Sequence, residues 1–180
     1  ASIGSGSDTW GQECKEAIRA YLPDAFFIWR LYNVLWVGEE LLTRTTAIEH
    51  LNQGYHYINH ADHSGVQAMG TGSTHGGSWL DRSDILDLHN GLRQGIVFSL
   101  GCSPNAFDYE SISEAFLTNP DGGALAYMGN TRTGWSNQTP QDIAFFWEVF
   151  QHGARHLGQA FSAARSMSGP GYYIRVQNLL

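Results

Sequence analysis

Tyr57-Ile58-Asn59-His60-Ala61-Asp62-His63-Ser64-Gly65 decides the fold, read together with Ile96-Val97-Phe98-Ser99-Leu100-Gly101-Cys102-Ser103. Each stretch opens as a run of strand length, rich in β-branched and aromatic residues, and closes on glycine. Near-continuous apolar runs of this kind fit strands covered on both faces of a sheet. Helical patterns separate them, which implies parallel strands joined by right-handed crossovers. Open sheets of this type use the rim beyond the carboxyl ends of their strands. His63 and Cys102 both stand just past a strand end, so the pattern delivers them to one rim.

Working outward, Gln12–Leu22 reads as a helix, with Cys14, Ala17, Ile18 and Leu22 near helical spacing, until Pro23-Asp24 breaks it. Ala25–Leu31 is an aromatic-rich run of strand length, and Thr43–Gln53 a helix stopped by Gly54. Tyr55–Asn59 is a predicted strand, His60–Ser78 a loop, and Asp81–His89 a short helix or turn closed by Asn90-Gly91. After the strand Ile96–Leu100, a serine caps a helix over Glu110–Leu117, and Asn119–Gly123 turns into a fourth strand, Ala124–Met128. Gly129–Thr139 is a polar loop. Asp142–Phe150 and Arg155–Arg165 read as helices, and Tyr172–Val176 as a last strand. The loops leaving the strand ends are thus His60–Ser78, Cys102–Asp108 and Gly129–Thr139.

The 180 residues, 42% of them hydrophobic, suffice for one domain with a real core and exclude a disordered chain. No apolar run nears the roughly 20 residues of a membrane span. Ala1–Ser7 lacks the basic and apolar regions of a signal peptide, so an exported protein would carry its leader outside this sequence. The formal charge is −7, and Lys15 is the only lysine among ten scattered basic residues. With no basic patch, nucleic acid is not an expected partner. Two cysteines, Cys14 in a helix and Cys102 after a strand, do not make a disulfide scaffold.

A thiol beside an imidazole has a recognisable chemistry: the imidazole draws off the thiol proton and later protonates a leaving amine. The competing reading of Cys102 is a buried small hydrophobe, as most free cysteines are; Cys14 is read that way. Asp62 either orients His63 or is a solvated loop acid. His60 has a structural reading as a polar cap at the strand end. His75-Gly76 is a second candidate for the acid/base, though no apolar run precedes it. His60-Ala61-Asp62-His63 also resembles part of the zinc motif H-x-H-x-D-H of metallo-β-lactamases, but the first histidine of that motif falls on Ile58. Trp10, Trp29, Trp36, Trp79 and Trp147 read as core or rim packing, and Phe145-Phe146-Trp147 as the apolar face of a helix.

The ordered set "YHYINHADHSG", "IVFSLGC", "SISEAF" and "GGALAYMGNTRTGWSN" resembles cysteine peptidases of the caspase-like fold, and within them the gingipain type. The resemblance runs from Ile3 to the end of the chain. It implies an α/β, three-layer caspase-like fold with a mostly parallel sheet. It also implies a cysteine endopeptidase in which Cys102 is the nucleophile and His63 the general acid/base. The backbone N–H groups of Cys102 and Ser64 would form the oxyanion hole, and Trp135 would wall the primary specificity pocket. Asp8 and Glu13 stand roughly where the family places a pocket carboxylate. Glu13 reads instead as an acid at a helix N-terminus, and Asp8 stays a substrate-binding candidate.

There are two departures. The family has glycine after its histidine, where this chain has Ser64, whose Cβ restricts the turn. The family also has an earlier central strand, of which only Ala1–Ile3 could be the tail. Residues 1–180 are therefore expected to be a catalytic domain lacking its first central strand, which would leave Ala25–Leu31 and Tyr55–Asn59 without a shared neighbour. The alternatives are an inactive peptidase-like binding module, favoured by Ser64, and a zinc metallohydrolase. By resemblance no cofactor is required and calcium is a structural ion. The partners would be a polypeptide substrate and the remainder of its own precursor chain, at a bacterial cell surface or outside the cell.

Overall fold

The computed structural model describes residues 2–4, 10–33, 40–72, 79–167 and 177–180. Among these, seven strands form one sheet in the order β3-β2-β1-β4-β7-β8-β9. The strands are β1 (Ser2–Gly4), β2 (Arg30–Tyr32), β3 (Glu40–Leu41), β4 (Tyr57–Ala61), β7 (Gly95–Ser99), β8 (Ala124–Asn130) and β9 (Gln177–Leu179). All neighbours pair in parallel except β8 and β9. A separate antiparallel pair joins β5 (Ala68–Gly70) to β6 (Trp79–Asp81).

The crossovers are helical and lie on both faces. One face carries α1 (Trp10–Arg19), α5 (Thr139–Phe150) and α6 (Leu157–Met167); the other carries α2 (Arg44–Gln53), α3 (Arg82–Leu86) and α4 (Ile112–Thr118). Caps written in the sequence set their starts. Thr43 Oγ1 accepts the N–H of Thr46, whose own hydroxyl accepts the N–H of Thr43. Asp81 and Asp84 do the same for α3, and Ser111 accepts the N–H of Glu114 at α4.

Strand alternation divides the core. Phe98 and Leu100 pack with Phe145, Phe146 and Phe161 beneath α5 and α6, whereas Val97 packs with Ile85, Ile112, Phe116 and Tyr127. Burying each such side chain contributes about 1.5–3 kcal/mol. The same alternation puts two consecutive polar residues of β4 on opposite faces. Asn59 meets Lys15 and Asp142, and His60 meets Ser99 and Gly70.

Several expectations need correction. Ala25–Leu31 is not a strand throughout; the ladder begins only at Arg30. The residues before it turn, with Phe26 N–H bonded to Pro23 O, and the Phe26 ring packs edge-on against Phe150 at 5.1 Å. Aromatic packing off the sheet replaced strand pairing. The strand expected at Tyr55–Asn59 runs instead over Tyr57–Ala61, so His60 and Ala61 belong to β4 rather than to the following loop. That loop contains β5 as well. The predicted strand Tyr172–Val176 lies outside the described residues. Ser2–Gly4 sits between β2 and β4 and pairs with both, so these two strands share a neighbour.

Candidate active site

Register brings the rim together. His60 pairs with Ser99 across β4 and β7, and Leu100 N–H continues the ladder to His60 O. His63 and Cys102 each follow three residues after that pair, on strands about 4.8 Å apart. Past the strand ends, Ser64 Oγ donates to Cys102 O at 3.0 Å, which ties the two loops side by side. The loop after β8 closes the third side: Cys102 Sγ–H points to Gly134 O at 3.5 Å, and Ser103 N–H bonds to Arg132 O at 2.9 Å.

The turn holding Cys102 is pinned on every carbonyl. Asn130 Nδ2 donates to Leu100 O at 3.2 Å and to Gly101 O at 2.9 Å, and Ser64 takes the third, Cys102 O. Ser103 adopts φ 57°, a left-handed conformation that costs a non-glycine residue about 1–2 kcal/mol. Its bond to Arg132 O helps offset that cost. A peptide unit is planar and trans, so its N–H points away from its carbonyl. Asn130, by holding Gly101 O, therefore fixes the direction of Cys102 N–H. Among the described residues, neither Cys102 N–H nor Ser64 N–H donates to a protein acceptor. Both are free to meet an anion.

His63 is exposed, and its ring has no hydrogen-bond partner among the described residues; no hydrogen bond joins it to the Cys102 thiol. Asp62 is neither a solvated acid nor a partner of that imidazole. It is buried, and its carboxylate accepts the backbone N–H groups of His63 and of Gly72. It shapes the loop backbone that presents His63. Trp135 is 55% exposed at the mouth of the site. The Trp135 backbone N–H donates to Gln138 Oε1 at 2.9 Å, and the Gln138 and Asn130 amides pair with each other at 2.8 and 2.9 Å. Gly134 allows this packing: a Cβ there would lie 2.2 Å from Asn130 Nδ2. Asp8 and His75 lie outside the described residues.

His60 is sealed, with 0% exposure. Gly70 O can only accept, so Nε2 carries the proton and donates to it at 3.2 Å; Nδ1 then accepts the Ser99 hydroxyl at 2.9 Å. Burial pushes the imidazole pKa down to about 4, and Asp62 only partly opposes this. Both ring nitrogens are engaged and Asp62 serves backbone amides, so His60, Asp62 and His63 do not converge as zinc ligands. Among the described residues no three His, Cys, Asp or Glu side chains gather to hold a metal ion.

Sequence reasoning singled out Cys102, His63, Ser64 and Trp135, which stand on the three loops that meet at this rim. It missed Asn130, Gln138 and the meaning of Gly101. The Gly-Asn pair ending "ALAYMGN" was the available signal, since an asparagine just inside a strand end at the rim has loop carbonyls to bind.

Solved structures with this fold include a structure titled "Structure of Protease", with a TM-score of 0.74 at 16% identity, covering 99% of this chain and 46% of that one. The Arg-specific cysteine proteinase gingipain R superposes with a TM-score of 0.76 at 14% identity, covering 99% and 44% of the two chains. A complex of Porphyromonas gingivalis RgpB pro- and mature domains gives 0.73 at 15% identity, over 94% and 41%. The chain therefore spans less than half the length of these proteins. The likeness makes the three-layer sheet the caspase-like fold. No curated protein shows significant similarity. The profile of peptidase family C25 matches residues 2–180. On that match across nearly its whole length, the chain belongs to peptidase family C25, the gingipain-type cysteine peptidases.

Proposed function

We propose that this chain hydrolyses peptide bonds as a cysteine endopeptidase with a Cys102–His63 dyad. The observation that carries the reading is the register: thiol and imidazole each stand three residues past one paired position on adjacent strands. His63 takes the Cys102 proton. The thiolate attacks the carbonyl carbon of the scissile bond, and the carbonyl electrons move onto oxygen. The N–H groups of Cys102 and Ser64 receive that oxyanion. Collapse breaks the C–N bond as protonated His63 gives its proton to the leaving amine. Water, deprotonated by His63, then cleaves the thioester, releasing the acid and restoring the thiol.

The Cys102 thiol rests on Gly134 O, and rotation about its Cα–Cβ bond redirects the sulfur from the Trp135 loop toward the scissile carbonyl. Trp135 walls the pocket for the residue preceding that bond. The reaction draws on the chain's own groups; calcium would be structural only. The partners are a polypeptide substrate and the rest of the precursor chain, a reading supported by the complex of pro- and mature domains among the related structures. The setting is extracellular or the bacterial cell surface. Among the described residues no helix is long and apolar enough to cross a membrane.

The same thiol contact favours a second reading, an inactive peptide-binding module, because the sulfur bonds to a carbonyl and not to the imidazole. Iodoacetamide on the folded protein separates the two. The peptidase reading expects carbamidomethylation at Cys102, loss of cleavage of a random peptide library in step with it, and no cleavage by Cys102→Ala. A folded protein whose Cys102 stays unmodified, with Cys102→Ala as competent as the parent, overturns it.

A further inference from the structure

The strand-end loops meet at one point where a side chain is present on one side and missing on the other. A Cβ built on Gly101 would lie 1.8 Å from Ser64 Oγ, 2.7 Å from Ser64 Cβ and 2.9 Å from Asp62 O. No rotamer adjustment clears a Cβ contact of that size, because the Ser64 Cβ and the Asp62 carbonyl are part of the loop itself. The Ser64 hydroxyl thus occupies the volume that the side chain of residue 101 would take. From there it donates to Cys102 O at 3.0 Å.

That bond fixes the peptide unit between Cys102 and Ser103 from one side, and Arg132 O, receiving Ser103 N–H at 2.9 Å, fixes it from the other. The left-handed φ of Ser103 follows directly after. Remove the Ser64 hydroxyl and the Cys102 carbonyl loses its only side-chain donor among the described residues. The turn that carries the sulfur is then held on one edge only. The loop carrying His63 loses its polar tie to that turn at the same time.

We infer that Ser64 and Gly101 act as a matched pair, and that the Ser64 side chain is a positioning residue that clamps the His63 loop onto the Cys102 turn. The inference rests on the dyad reading above and adds to it a role for the hydroxyl, distinct from that of the Ser64 N–H. It turns the serine after His63 from an obstacle to activity into a fitted part of this particular site.

The test is a double-mutant cycle on the whole chain: wild type, Gly101→Ala, Ser64→Gly and Ser64→Gly/Gly101→Ala. Each protein is read by kcat and KM on one fluorogenic peptide, by the rate of Cys102 alkylation, and by the thermal midpoint. Gly101→Ala is expected to lower kcat/KM by about 10²-fold, since a misplacement near 1 Å costs that much. Ser64→Gly is expected to lower kcat by about 10-fold with KM within about twofold, the split that marks lost positioning rather than lost binding. The double variant is expected to recover most of the Gly101→Ala loss in kcat, alkylation rate and midpoint, the remainder coming from the Asp62 carbonyl, which still lies 2.9 Å from the new Cβ. A double variant as impaired as the product of the two singles overturns the pairing. A Ser64→Gly kcat equal to wild type overturns the clamp. A wild type that neither cleaves peptide nor alkylates at Cys102 sinks the peptidase reading instead, while the midpoints still test the pairing. If Gly101→Ala fails to fold and the double variant folds, the pairing is upheld by that contrast alone.

Discussion

This chain uses a histidine and a cysteine twice, once in its interior and once on its rim, and the two regions behave as opposites. Inside, His60 is sealed with both ring nitrogens bonded, and Cys14 lies in α1 at 3% exposure, its thiol on Asp142 Oδ2 at 3.5 Å. Burial pushes the Cys14 thiol far above its usual range, so it stays protonated and inert. On the rim, His63 is exposed and Cys102 half-buried, and neither spends its reactive atom on a strong partner. The difference teaches that residue type decides little here. A satisfied, desolvated group holds the fold, and a poorly satisfied group at a pinned turn is available for chemistry.

The largest expected effect breaks the comparison at the histidines. His63→Ala should cut kcat/KM by about 10²–10⁴-fold with an unchanged urea midpoint. His60→Ala should do the reverse in kind, losing about 2–5 kcal/mol of stability through a cavity and two orphaned partners. Parallel kinetics and equilibrium unfolding of both variants check this; equal loss of stability in the two would erase the distinction.

Next is the interior charge. Lys15, the sole lysine, is buried against Asp142 and bonds Asn59 Oδ1 at 2.7 Å, while Asn59 Nδ2 donates to Asp142 Oδ1 at 2.9 Å. Lys15→Met strands the Asp142 carboxylate without its counter-charge and should cost about 3–5 kcal/mol. Adding Asp142→Leu should recover most of that loss, because the pair costs desolvation on both sides. Urea midpoints of the single and double variants read this, and a double variant no better than the single would show that the pair itself stabilises the fold.

The smallest effect is a pH dependence. His60 titrates near 6.5 when unfolded and near 4 when folded. Between those values the unfolded chain binds a proton that the folded chain refuses, so stability rises with pH across the window. The benefit is complete above about pH 6.5 and falls away as pH drops toward 4. Hydrogen bonds hold Glu16 and Glu40 below the usual carboxylate range, so their contributions are lost only as pH falls through about 4.5 and lower. The contribution of His60 between pH 7 and 5 is therefore read as the difference in urea-midpoint slope between the parent and a His60 variant. The slope there should flatten in His60→Gln, and an unchanged slope would refute the assignment.

Much of this was legible beforehand. The helices near Thr43, Asp81 and Ser111 were readable from apolar spacing and the turn residues that close them, whereas the structure showed that these three residues are the caps. The run ending in Cys102 was readable as a strand because it is buried on both faces. Phe26–Trp29 misled because aromatics favour strands and also pack well off them: Trp29 lies 5.0 Å from His50, and Phe26 lies against Phe150. Shifting β4 by two residues moved His60 from loop to ladder, which changed its meaning from a cap to a sealed strut.

Sequence alone determined the alternation of strands and helices, the parallel sheet, and the placing of His63 and Cys102 just beyond strand ends, since periodicity and turn residues act over a few neighbours. Only the tertiary structure decided that Lys15 is buried, that Asn130 and Ser64 hold the carbonyls of the Cys102 turn, and that Gly101 leaves room for a hydroxyl from 37 positions away. Those facts depend on which strand lies beside which, and that order is set by long-range packing, which no local pattern encodes.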